Sequence, residues 1–126
     1  EMYKGIYLGR SKGVFNGKIM VRPDAQKIDA FQSNNNLLLS DYSSIDSKPQ
    51  LEIYADDVKC SHGCTIGQLD ENALFYMRSR GVAKKEAKAI LTYAFTSEVI
   101  DNISIPELKT LTQKLLAKKL NVNIDF

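Results

Sequence analysis

Soft-ligand chemistry in this sequence is confined to five residues. The chain holds one His and two Cys, and all three lie in Cys60-Ser61-His62-Gly63-Cys64. Thiolate and imidazole suit zinc, copper(I) and iron–sulfur clusters. Residues two apart on an extended strand project to one face, so Cys60 and His62 would share a face, and strict extension would bring Cys64 to it as well. A closed zinc site takes four ligands, whereas this segment offers three with Gly63 among them. A complete mononuclear site within the chain is therefore not expected. Two readings stand: a strand-end histidine beside two packed thiols, because free Cys mostly behaves as a small hydrophobe, or a partial site that another chain or a further segment completes.

Other chemistries fit less well. Asp56-Asp57 near His62 could imitate an acid–base pair, but adjacent strand residues point to opposite faces and paired Asp commonly form turns. A Cys–His nucleophile needs its base within hydrogen-bond reach, and strand residues two apart have α-carbons about 6.5 Å from each other. The sequence has no Gly-rich phosphate loop and no run of interleaved aromatic and basic residues. Tyr93 and Phe95 read as packing residues. A disulfide between Cys60 and Cys64 would close only a tiny loop and constrain the unfolded chain little, which favours reduced thiols and a cytoplasmic compartment.

The remaining composition sets the frame for these residues. A length of 126 residues holds one domain, or two small modules sharing a core. Lys and Arg number 17 against 15 Asp and Glu, so there is no basic field of the kind that drives nucleic-acid binding. Hydrophobic residues are 44% and charged ones 25%, near globular averages, and no run approaches a membrane span. A soluble folded chain without nucleic-acid or membrane partners is expected.

The elements that would position the Cys/His segment change type near Gly67. Before it, Gly17–Arg22, Ala30-Phe31, Leu37–Leu39, Leu51–Ala55 and Val58–Cys60 read as short strands of period two, none longer than about six residues. Ser33-Asn34-Asn35-Asn36 reads as a turn or a stacked corner. Ile19, Leu37 and Ile53 recur at intervals of about 18 and 16 residues, near one coil of a parallel β-solenoid, although a sandwich of short strands gives similar spacing. With only about three coils and no cap before Ile6, the open edge leads us to expect the C-terminal part of a longer protein. After Gly67 the period is helical, with helices expected at about 69–80, 83–103 and 105–120. Gly81 stops the first. Ala87, Leu91, Phe95 and Val99 stripe the second. Ser104 and Glu107 have capping-box spacing before the third, whose Leu108, Leu111, Leu115 and Leu116 would be its buried face. The expected division is thus 1–67 and 68–126.

The run from Leu51 to Asp70, LEIYADDVKCSHGCTIGQLD, followed by ALFYMRSRG over Ala73–Gly81, resembles the C-terminal region of the SufB/SufD family of iron–sulfur cluster assembly proteins. Arg22–Gln26 and Phe31–Leu39 extend the resemblance upstream, and the segment Lys59–Gly63 is nearer to SufD than to SufB. What the resemblance implies is a mixed β and α fold: the last coils of a right-handed parallel β-helix, followed by a small helical domain. It further implies a non-catalytic scaffold subunit working with a SufB-like subunit and a SufC-like ATPase, the latter docked on the helical domain. By position, His62 matches the family histidine associated with the nascent cluster at the SufB–SufD interface, and Cys60 a neighbouring cysteine. Both become candidate iron–sulfur cluster ligands shared with a partner chain. Cys64 departs from the Ala or Ser of many relatives and takes no role from the resemblance.

An interface cluster needs only one or two ligands from each chain, and imidazole is an acceptable iron ligand. The cluster would be transient and assembled with the partner, with none expected in the isolated fragment. Two other classes compete with the scaffold: a stand-alone metal- or thiol-dependent enzyme using Cys60, His62 and Cys64, and an inert β-solenoid interaction module. Self-association through the open β-helix edge is a further expectation.

Overall fold

The computed structural model describes residues 1–121. Five strands come first: β1 (Met2–Tyr7), β2 (Lys12–Val21), β3 (Asp29–Leu38), β4 (Ser44–Ile53) and β5 (Lys59–Gly67). Three helices follow: α1 (Glu71–Ser79), α2 (Lys84–Ile100) and α3 (Pro106–Leu120). The chain divides into two compact units, Glu1–Gln68 and a second beginning at Leu69. Each is described by itself.

In the strand unit the odd and even strands separate. β1, β3 and β5 form one sheet in that order, and β2 and β4 form another. All pairing is parallel: Met2 lies opposite Ser33, Lys12 opposite Ser44, and Asp29 opposite Lys59. Hydrogen-bonded partners are therefore 30 to 32 residues apart. The shorter interval between Ile19, Leu37 and Ile53 steps from one sheet to the other, since Ile19 pairs with Leu51 while Leu37 pairs with Ile6 and Gly67. One repeat contributes a strand to each sheet, so its length is about twice what the apolar spacing suggested.

β2, β3 and β4 each run ten residues and β5 nine, longer than the six residues read from the sequence. The main reason is the Asn run, which sits inside β3 and is not a turn. Alternation puts Gln32, Asn34 and Asn36 on one face of β3, where they are 1%, 3% and 2% exposed. Asn34 Oδ1 accepts from Asn36 Nδ2 at 2.7 Å and from Ser47 Oγ of β4 at 2.7 Å, and Asn36 Nδ2 also donates to the Thr65 carbonyl at 3.2 Å. Asn34 Oδ1 and Asn36 Nδ2 thus find partners in the unit's interior, which offsets part of the penalty that normally keeps Asn out of buried strands.

Glycine makes room for this polar row. A Cβ at Gly17 would stand 2.5 Å from Gln32 Oε1 and 2.6 Å from Phe15 Cζ, and one at Gly5 would stand 2.5 Å from Asn36 Oδ1. Those two amide oxygens are also, among the described residues, the buried side-chain atoms that lack a hydrogen-bond partner. Lying against glycine α-carbons, they are placed for weak Cα–H···O contacts that offset part of the loss. Val21 and Ile45 supply buried apolar surface nearby, and the Tyr3 and Phe15 rings meet at 5.0 Å.

In the helical unit, Asp70 caps α1 by accepting from the backbone N–H groups of Asn72 and Ala73. Gly81, at φ +89°, takes the left-handed position that ends it. α2 stops at Ile100, short of the expected 103. The cap of α3 is Ile105, which makes no side-chain capping bond, so the Ser104–Glu107 box is not formed. Pro106 in the first turn supplies the start signal instead. Buried positions are Leu74, Ala87, Thr92, Ile100 and Ala117. The α3 leucines differ from expectation, because Leu108, Leu111 and Leu115 are exposed and the small Ala117 faces inward. Among the described residues no helix is long and apolar enough to cross a membrane.

Candidate functional site

β5 carries the Cys/His segment without interruption, Gly63 included, because its register with β3 holds from Asp29↔Lys59 to Leu37↔Gly67. In that register Cys60 lies opposite Ala30, His62 opposite Gln32, and Cys64 opposite Asn34. All three therefore share the face of the buried amide row. The contact at one end is direct: Cys64 Sγ lies 4.0 Å from Asn34 Oδ1, at the outer limit of a thiol hydrogen bond.

Position in the sheet sets exposure. β5 is an edge strand, and its outer row of N–H and C=O groups has no strand partner among the described residues. Cys60 is half-buried, while His62 and Cys64 are exposed, and both cysteines are free thiols. Cα···Cα spacing along a strand keeps alternate residues about 6.5 Å apart, too far for adjacent ligands to meet one ion without bending. Accordingly, among the described residues no group of three or more His, Cys, Asp or Glu side chains is gathered to hold a metal ion. Asp56 and Asp57 lie in the bend between β4 and β5, where the Asp57 N–H donates to Gln26 Oε1 at 2.9 Å. They are not brought to the Cys/His face.

The arrangement can offer an imidazole and a thiol side by side at an open strand edge, backed by a buried row of amides. The residues that sequence reasoning missed are Gln32 and Asn34. Their signal was present as the period-two spacing of Gln32, Asn34 and Asn36, hidden by the turn preference of consecutive Asn.

Comparison with known proteins bears on the same segment. A family model described as SUF system FeS cluster assembly, SufBD core domain, matches residues 1–95. The iron–sulfur cluster assembly protein SufD of Escherichia coli (strain K12) is 44% identical over 118 residues, 94% of this chain and 27% of that protein. An iron–sulfur cluster assembly SufBD family protein of Synechocystis is 43% identical, covering 86% of this chain and 24% of the relative. Protein ABCI7, chloroplastic, of Arabidopsis thaliana is 41% identical, covering 78% and 21%. The chain spans about a quarter of the length of these curated relatives.

Proposed function

The chain belongs to the SufBD core domain family of the SUF iron–sulfur cluster assembly system, and from that premise we propose that it is a non-catalytic scaffold segment of the SufD kind. In this reading His62 and Cys60 supply ligands to a nascent cluster held jointly with a SufB-like chain. The helical unit docks a SufC-like ATPase, and the strand unit is the last part of a right-handed parallel β-helix in a cytoplasmic protein.

The observation that carries the proposal is the placement of His62 and Cys60 on one face of an unpaired edge strand. A ligand set too small for a closed site, at an edge that a second chain can reach, is suited to a shared cluster. The two-sheet alternation with a repeat of 30 to 32 residues supports the β-helix reading, since parallel neighbours in such a repeat need a crossover, and crossovers are overwhelmingly right-handed. The exposed leucines of α3 support a docking face on the helical unit.

Anaerobic reconstitution with iron and sulfide, followed by visible spectra and iron analysis, tests the shared-site reading. Cluster formed only when a SufB-type partner is present is the expected result. Metal held tightly by the chain alone would indicate a self-sufficient site, and no cluster under either condition would contradict a role in cluster building.

A further inference from the structure

We propose that Gln32 is a positioning residue for His62: its buried side-chain carbonyl accepts the Nδ1–H of the imidazole, leaving Nε2 unprotonated and directed to the open edge. The inference rests on the reading of His62 as a cluster ligand, and adds the residue that orients it.

Four observations carry it. Gln32 and His62 are register partners on neighbouring strands and project from the same face. Gln32 is 1% exposed, yet its Oε1 has no hydrogen-bond partner, a costly state for a buried carbonyl. Its amide nitrogen donates to Glu1 Oε2 at 3.1 Å, so the oxygen is the atom that lacks a partner. One step along the same two strands, Asn34 Oδ1 already meets Cys64 Sγ. An amide on β3 thus reaches its register partner on β5 on this face, and the Gln32 side chain is one methylene longer.

The His62 side chain is exposed and has no hydrogen-bond or ion-pair partner among the described residues, and it stems from the strand beside Gln32, about 4.8 Å away. In the structure Oε1 lies against Gly17, so meeting the imidazole requires a turn of the amide about its broad terminal torsion, in which the bond to Glu1 is exchanged for the one to His62. A metal-binding His ordinarily donates its second ring N–H to such an acceptor, which fixes the tautomer and the ring direction. Nδ1 is the ring nitrogen nearer the backbone and so nearer Gln32, which leaves Nε2 as the one that would hold a metal.

The chain has a single histidine, so nitrogen-15 NMR of the neutral imidazole reads one ring and gives its tautomer directly. The expected result is a majority Nδ1–H form in the wild-type chain, with Gln32→Met shifting the ring toward Nε2–H while the remaining spectrum is kept. A majority Nε2–H ring in the wild type overturns the proposal even if Gln32→Met fails to fold, and so does an unchanged ratio in a folded variant. On the complex with a SufB-type partner, Gln32→Met should lower cluster loading about tenfold. Normal loading in His62→Ala together with a majority Nδ1–H ring in the wild type would remove the ligand role and leave the Gln32–His62 pairing standing.

Discussion

At Gly17 one added methyl group meets both Gln32 and the Phe15 ring inside the strand unit. Its backbone is ordinary strand, so the effect of substitution is steric, and overpacking of this kind costs about 1–3 kcal/mol. Gly17→Ala should lower the urea midpoint accordingly. Gly67→Ala, with open space around its Cβ, should leave the stability within about 0.5 kcal/mol of wild type and the midpoint nearly unmoved. Equal midpoints for the two variants would show that the interior is looser than the Gly17 contacts imply. The same interior explains what could be read from single residues. Cys60 and His62 were legible because their types are rare in this chain and the period-two rule fixes their face. Gln32 and Asn34 were not, because the preference of Asn for turns outweighs its spacing until pairing with β4 and β5 is known.

Among the elements, α3 presents Leu108, Leu111 and Leu115 outward, and β5 presents an edge with no strand partner among the described residues. If α3 is the ATPase-binding face, Leu111→Asp combined with Leu115→Asp should abolish co-purification of a SufC-type ATPase while changing stability by no more than about 0.5 kcal/mol per site, the usual range for exposed positions. Undiminished co-purification would move the docking site elsewhere. Within the helical unit, burial raises the pKa of the Tyr93 phenol, with the Asp101 carboxylate adding to the rise and Lys109 opposing it. The folded chain therefore holds that proton more tightly than the unfolded chain does. The contribution is intact below the ordinary tyrosine value of 10.0 and is lost as pH climbs through the raised one. Thermal melts should show an extra alkaline loss above pH 10 that Tyr93→Phe removes, and identical alkaline profiles would contradict it. Helix placement was legible from period and stop signals such as Gly81 and Pro106. The buried face of α3 was not, since the third helix packs through Ala117 and a leucine stripe by itself does not say what covers it.

For the molecule as a whole, the repeat of 30 to 32 residues matters more than any single strand. It stacks each strand on one that is distant in sequence, so the amide row of β3 comes to lie beside the Cys/His row of β5. That stacking could not be read from apolar spacing, because the interval visible in the sequence steps between the two sheets. It is also why the Cys/His segment stands at an edge: β5 has β3 on one side and, among the described residues, no strand on the other. An incomplete ligand set at an open edge acquires chemical meaning when a second chain supplies the rest. The central claim is therefore that His62 holds part of a cluster it cannot hold alone. Its most direct test is the iron and sulfide content of the anaerobically purified complex with SufB-type and SufC-type partners, comparing wild type with His62→Ala. The account expects cluster content to fall at least severalfold while subunit stoichiometry is unchanged; full cluster content in the intact His62→Ala complex would contradict it.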